Sequence, residues 1–378
     1  MKAEAYLLTY ILKVVRGERT GFAAGFVLFC LEILEIIYCL LLKLTYFLTP
    51  RKQLPVPVVS VGNLTVGGTG KTPTVVWLVT ILRSAGFRPA VLTRGYGGKF
   101  QKKGRLITNK TLTGLTAEET GDEPYLLARL LPETMIAVGR DRYRMGLAAL
   151  AADPTIDVFV LDDGFQFFRL KRQLDLILLD AVDPFDNRHL LPRGLLREPL
   201  TALRRAEIVL LTRTQQVDPA DLALLTATVK RYQPQVLIAR VWAVNSTVTP
   251  LADWGTGGAV TLAADRFLKQ RRIGLVTAIG NPGQLQKAVQ SLGAELVYFQ
   301  AYPDHHLWND AEVEELIAAL KSARVNEVLI TAKDAAKLIT YQVNFQSNDV
   351  KCYILNLDFE IADPAVSARL QRACRKRG

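Results

Sequence analysis

A strand that runs into a glycine-rich turn and leaves it through Gly-Lys-Thr admits few folds. Val56-Pro57-Val58-Val59-Ser60-Val61 is apolar and mostly β-branched, so it reads as a buried strand. Gly62-Asn63-Leu64-Thr65-Val66-Gly67-Gly68-Thr69-Gly70-Lys71-Thr72 follows as a loop, and Val75 to Ala85 reads as a helix. Strand, glycine loop and helix in that order form the context of a phosphate cradle. Glycines let backbone N–H groups approach phosphate oxygens without a Cβ in the way, and the helix N-terminus adds partial positive charge. On this reading Thr65, Val66, Gly67, Gly68, Thr69, Gly70, Lys71 and Thr72 grip the triphosphate of ATP. Lys71 reaches the β- and γ-phosphates, and Thr72 ligates Mg²⁺. One position departs from the common pattern: five residues before Gly70, where glycine is usual, stands Thr65.

Apolar runs at Pro89–Thr93, Met135–Val138, Asp157–Leu161, Leu174–Leu179 and Glu207–Leu211 read as further strands. Helix-like stretches such as Glu123–Leu131 and Arg142–Ala151 separate most of them. The alternation predicts an α/β fold of P-loop NTPase type, a mostly parallel sheet with helices on both faces and ligands at the C-terminal strand edge. Val158-Phe159-Val160-Leu161 closes in Asp162-Asp163-Gly164, an apolar run ended by acid. An aspartate there suits the Mg²⁺ shell; a turn aspartate before glycine is the plainer alternative. Asp122, in Gly121-Asp122-Glu123-Pro124, stands where a helix begins. It either caps that helix or takes the proton of an attacking hydroxyl as a catalytic residue.

The chain has 378 residues, 49% hydrophobic and 22% charged, which fits two α/β domains with a short appendage and excludes a disordered protein. A net charge of +11 favours an anionic partner. The basic residues come in short scattered groups (Arg204-Arg205, Lys230-Arg231, Arg271-Arg272), not in one stripe interleaved with aromatics, so nucleic acid is not expected. An anionic membrane surface or a phosphorylated substrate accounts for the charge. Cys30, Cys39, Cys352 and Cys374 have no metal-ligand spacing, the usage of a reducing compartment.

Gly21 to Leu42 is long enough, at ~1.5 Å per residue, to cross a hydrocarbon core of ~30 Å. Glu32 and Glu35 oppose spanning, since one acid near the bilayer centre costs on the order of 3 kcal/mol. On a helix they share a stripe of about 80° with Lys43. Such a stripe suits a helix lying in the membrane interface, or one docked on the protein by its polar side. Residues 1–50 are therefore expected to be a membrane-associated helical segment, followed by a P-loop domain over 51–235. A β-rich stretch from Val236 to Thr249 and a loop from Pro250 to Gly258 predict an extended hinge over 236–258. Strands at Ile273–Ala278, Glu295–Phe299, Glu327–Thr331 and Cys352–Leu357, with helices at Gln284–Leu292 and Ala311–Ser322, predict a smaller α/β lid-like domain over 259–378. Thr331-Ala332-Lys333-Asp334 resembles the guanine-reading Asn-Lys-x-Asp signature, but its lysine is displaced by one position, so guanine specificity is not expected.

Eight segments in order make a more specific pattern: VGNLTVGGTGKTP (61–73), TRGYGG (93–98), GDEP (121–124), VGRDR (138–142), LDDGFQ (161–166), LPRGLLREP (191–199), AIGNP (278–282) and YPDHH (302–306). With these the chain resembles the tetraacyldisaccharide 4'-kinases, the lipid A 4'-kinases of Gram-negative bacteria. The resemblance implies transfer of the γ-phosphate of ATP to the 4'-hydroxyl of a tetraacylated glucosamine disaccharide 1-phosphate, on the cytoplasmic face of the bacterial inner membrane. It implies catalytic roles for Asp122, Lys71 and His305, and a metal site of Thr72, Asp162 and Asp163. It also aligns Arg94, Arg142, Gln166, Arg197, Glu198 and Asp304 with polar positions around the phosphates and substrate. After Gln166 the family usually has His-Arg, whereas this chain has Phe167-Phe168.

Overall fold

The structure, a computed structural model, describes residues 10, 13–15, 17–254, 261–304, 306–361 and 363–375. In chain order its principal elements begin with α1 (Phe22–Leu48), β1 (Val58–Asn63), α2 (Lys71–Ser84), β2 (Pro89–Thr93) and β3 (Arg105–Ile107). Next come α3 (Asp122–Leu130), β4 (Ile136–Val138), α4 (Arg142–Ala152), β5 (Val158–Asp162), β6 (Leu174–Asp180) and β7 (Ile208–Thr212). They are followed by α5 (Pro219–Tyr232), β8 (Leu237–Arg240), β9 (Trp242–Pro250), β10 (Leu262–Ala263), β11 (Arg272–Thr277) and α6 (Pro282–Ser291). The last are β12 (Glu295–Ala301), α7 (Asp310–Ser322), β13 (Glu327–Thr331), α8 (Ala332–Leu338), β14 (Lys351–Glu360) and α9 (Pro364–Cys374).

The chain divides into two compact units, each built from separate stretches: Met1–Lys71, Asp163–Val241 and Ala362–Arg375 in the first, Thr72–Asp162, Trp242–Ile361 and Lys376–Gly378 in the second. The sequence reading divides the chain into consecutive domains instead. The difference is sharpest at the C-terminus, where α9 returns to pack on β1 and β8 of the first unit.

In the first unit β1, β6, β7 and β8 pair side by side, all parallel, with Val59 opposite Leu174 and Leu176 opposite Ile208. Every residue of β1 and β7 is buried, as expected of parallel strands covered on both faces. Leu222, Leu225 and Val229 of α5, spaced at helical intervals, join Ile177, Leu179, Val209 and Leu211 in one core. Asp218 starts α5 by accepting the Ala220 N–H, with proline in the first turn. Tyr38 and Cys39 of α1 pack on the same core. The opposite side of α1 carries Phe22, Phe26, Phe29, Leu40, Leu44 and Phe47, all more than half exposed.

The second unit holds β2 between β4 and β5, all parallel, with β3 antiparallel at the edge beside β4. It also holds a mixed sheet of order β10-β9-β14-β13-β11-β12. There β11 to β14 run parallel, and β9 and β10 are antiparallel. Val248, Phe267, Leu275, Leu329 and Leu355 form its core. The stretch read as one long β segment from Val236 to Thr249 is two strands, one in each unit. β8 lies parallel to β7, and β9 lies antiparallel to β14.

Candidate active site

The glycine loop sits between β1 and α2. Its first residues behave as a strand: Val66 N–H donates to Leu195 O at 2.8 Å, Arg197 N–H donates to Leu64 O at 2.7 Å, and Thr65 pairs antiparallel with Leu196. This gives the departure from the common pattern a physical reason. A buried residue in a β-bridge suits β-branched threonine better than glycine. The loop turns at Gly67 and Gly70, with φ of +133° and +89°, and a Cβ at Gly67 or Gly68 would meet nothing within 4 Å. The cradle is therefore open on that side. Thr69 Oγ1 is buried with no hydrogen-bond partner among the described residues, an arrangement that suits a phosphate oxygen. Lys71 Nζ lies 3.3 Å from Asn63 Oδ1 and 3.7 Å from Asp163 Oδ1. Both partners hold the ammonium at the head of α2.

The two aspartates after β5 differ. Asp162 is 4% exposed, ends the strand, and accepts the Thr93 hydroxyl at 3.0 Å. Asp163 adopts a left-handed φ of +47° and receives Arg197 in a bidentate pair at 2.7 and 3.1 Å. Gln166 Nε2 bridges Asn63 O (3.1 Å) and Glu198 Oε1 (3.0 Å), and Glu198, 4% exposed, takes two bonds from Arg205 at 2.9 Å. The sequence-predicted Lys71, Asp163, Gln166, Arg197 and Glu198 thus stand together around Asn63 in the first unit. Asn63 and Arg205 are polar members that sequence reasoning missed. Phe168 rather than Phe167 is buried, with Tyr46 edge-on to it at 5.1 Å and the Arg205 guanidinium 5.4 Å from its ring.

In the second unit Asp122 is the first residue of α3, and the cap position belongs to Gly121. The capping role for Asp122 is therefore set aside. Its Oδ2 lies 2.8 Å from Lys337 Nζ, with Lys337 8% and Asp122 18% exposed. Gly98 and Gly121 touch backbone to backbone: a Cβ on Gly98 would run into Thr120 and Gly121, so TRGYGG and GDEP interlock and fix where α3 begins. Lys337 Nζ also donates to His306 O at 3.0 Å, which ties the YPDHH loop to Asp122. His305 itself lies outside the described residues. Asp304 pairs loosely with Lys333 at 3.8 Å. His306 stacks on Tyr302 and faces Glu312 at 3.1 Å. Arg94 is exposed beside the Tyr96 ring, whereas Arg142 is buried at the start of α4 and donates to Arg140 O.

Asp334, the acid of the displaced signature, is bonded within the fold. Its Oδ1 accepts the Ala278 N–H at 2.8 Å, and its Oδ2 accepts the hydroxyls of Thr277 and Thr331 at 2.9 and 2.7 Å. Burial pushes its carboxyl above the usual carboxylate range, against the lowering effect of those bonds.

Thr72, Asp162 and Asp163 offer hard oxygen donors, the chemistry Mg²⁺ takes from one or two carboxylates alongside substrate phosphates. Among the described residues no three His, Cys, Asp or Glu side chains gather as a cage of their own. The donor set fits a metal carried in with a nucleotide rather than one held by protein alone.

The model of the Tetraacyldisaccharide-1-P 4'-kinase family matches residues 27–375. The chain belongs to that family. Among curated tetraacyldisaccharide 4'-kinases, that of Pelobacter propionicus is 34% identical over 95% of this chain and 96% of its own. The one from Syntrophus aciditrophicus is 40% identical over 76% of each. Among solved structures, the "apo" form of LpxK from Aquifex aeolicus in complex with ATP is 29% identical, covers 91% of this chain and 98% of its own, and superposes with a TM-score of 0.70. The family resemblance carried by the eight segments is borne out, as is the α/β P-loop fold with its second sheet.

Proposed function

We propose that this family member transfers the γ-phosphoryl group of ATP to the 4'-hydroxyl of a tetraacylated glucosamine disaccharide 1-phosphate. The observation that carries the reading is Asp122 at the head of α3, held by Lys337. A kinase acting on an alcohol needs a carboxylate to orient the hydroxyl and take its proton; a nucleotide switch does not. Lys71 and the loop amides bind the phosphate chain, and the Lys71 charge offsets the charge that develops on the transferring group. Thr72, Asp162 and Asp163 would hold Mg²⁺, which would supply positive charge to the triphosphate. Asp122 accepts the proton of the 4'-hydroxyl. His305, the residue before His306 in the sequence, supports Asp122 in that transfer. Arg94, Arg142 and Asp304 serve substrate or phosphate.

The acylated acceptor gives α1 its purpose. The helix is long and apolar enough to cross a membrane by length and composition, but its acids face the protein: Glu35 meets His189 and Leu190, and Glu32 meets Arg193. Of the expected stripe Glu35 is half-buried, whereas Lys43 and Glu32 are exposed, Glu32 with 54% of its side chain accessible beside Arg193. A helix docked by its polar side and apolar on the other favours an interfacial position at the cytoplasmic face of the inner membrane. The six side chains named on its exposed side, at about 1.5–3 kcal/mol each, supply roughly 9–18 kcal/mol of attraction to lipid if fully inserted. The test is incubation with ATP, Mg²⁺ and the lipid disaccharide. A mass gain of one phosphate on the disaccharide is expected. ATP hydrolysis without that product would support a membrane-recruited ATPase switch instead.

A further inference from the structure

Two acids on an otherwise apolar helix are costly, and Glu35 directs both its oxygens to one short segment. Its Oε2 lies 2.9 Å from His189 Nδ1, and its Oε1 accepts the Leu190 N–H at 2.8 Å. Glu32 pairs with Arg193 at 3.3 Å, and the Tyr38 hydroxyl donates to Arg197 O at 3.0 Å. All of these partners fall between residues 189 and 197. The same segment is bonded on its other side to the phosphate loop through Leu64, Thr65 and Val66. Its own ends are cross-tied: Leu191 N–H donates to Leu196 O at 2.9 Å, Gly194 N–H to Leu190 O at 2.9 Å, and Leu196 N–H to His189 O at 3.1 Å. A shift at His189 and Leu190 is therefore transmitted to Leu195–Arg197. From there it reaches the loop backbone and, through the Arg197 side chain, Asp163.

We propose that α1 braces the phosphate loop through this strap, with Glu35 as the positioning residue. The helix that meets the membrane thereby sets the geometry of the nucleotide site. An anchor alone has no use for a half-buried carboxylate; an apolar residue would serve it better. A carboxylate that takes a backbone N–H and an imidazole fixes the strap in register, since bonds to charged acceptors are short and directional. The proposal rests on the reading of Thr65–Thr72 as the nucleotide cradle.

The test uses the full chain in detergent micelles, with ATP binding followed by calorimetry and backbone hydrogen exchange measured in parallel. Glu35→Ala should weaken ATP binding about tenfold. It should also speed exchange at Val66 and Arg197 while leaving β7 amides protected. Glu35→Gln keeps an acceptor for Leu190 N–H and should restore most of the affinity. Leu40→Ser with Leu44→Ser, on the exposed face, should weaken sedimentation with anionic phospholipid vesicles and leave ATP affinity unchanged. Unaltered ATP affinity in Glu35→Ala would overturn the brace. If Glu35→Ala also loses β7 protection, Tyr38→Phe decides: about threefold weaker ATP binding is expected, and no change refutes the proposal. A wild-type chain that binds no ATP refutes the cradle reading itself, an outcome separate from failure of the brace alone.

Discussion

Replacing Lys337 by methionine removes the ammonium facing Asp122 while keeping the length of the side chain. The two groups are 2.8 Å apart with 8% and 18% of their side chains exposed, and the same ammonium donates to His306 O at 3.0 Å. Removing one member of a buried ion pair costs about 3–5 kcal/mol, because the other charge is left uncompensated. Asp122 retains some contact with water, and methionine refills the volume, so the lower end, about 3 kcal/mol, is expected in chemical denaturation. The kinetic effect has a separate origin. Asp122 loses the group that orients its carboxylate, and the His306 carbonyl loses its tie. Misplacement of a reacting group by ~1 Å costs on the order of a hundredfold, so kcat should fall by about that factor while the KM for ATP barely moves. Asp122→Asn should fall further, and the double variant should be no slower than Asp122→Asn alone. Losses that multiply in full would refute the coupling, and a folded Lys337→Met enzyme at wild-type kcat would remove Lys337 from the site.

Lys71→Ala should cut turnover by roughly 10²–10³-fold, as expected for a lost contact to developing charge, with an unchanged circular dichroism spectrum; near-normal turnover would sink the phosphate-cradle assignment. Thr65→Gly restores the common loop pattern, yet it should lower stability by about 1 kcal/mol and give no gain in kcat, because the position is a strand bridge. A faster Thr65→Gly enzyme would contradict that account. For Asp334 the sign follows from burial: a carboxyl raised above its unfolded value stabilises fully below about pH 3.9 and loses that contribution as pH rises through the raised value. The stability difference between wild type and Asp334→Asn should therefore shrink with rising pH, and one that grows would be wrong for a raised group.

How far the sequence reveals this structure depends on what surrounds each segment. β2 and β13 coincide with the predicted strands to the residue, because each has a buried apolar centre of the kind parallel strands carry. β3 is only Arg105–Ile107, half-exposed at a sheet edge, and three residues carry no readable period. β8 and β9 merge in the sequence because Val241 is the sole residue between them and is itself β-branched. The partners of Glu32 and Glu35 lie about 155 positions away, a pairing that no local pattern encodes. Lys337 was missed for a similar reason. A lysine on a short helix reads as solvent-facing, and only its 8% exposure reveals that it points inward. Its one signal was position, a single helical turn after Lys333 in a segment already singled out.

Asp122 and Asp334 show what the tertiary structure adds to a pair of acids that look alike in the sequence. Both stand in the first turn of a helix, where a carboxylate favours the dipole and is most simply read as a cap. Asp334 serves the helix start: it completes a capping box with Thr331, its oxygens take two backbone amides and two hydroxyls, and it is 1% exposed. No group of a substrate can reach it without breaking those bonds. Asp122 is one residue past the cap position, and its Oδ2 lies 2.8 Å from the Lys337 ammonium. An ammonium at that distance holds the carboxylate in place, as a group that is to orient a hydroxyl must be held. The proposed chemistry accordingly falls to the acid paired with a side chain, and the framework to the acid paired with the backbone.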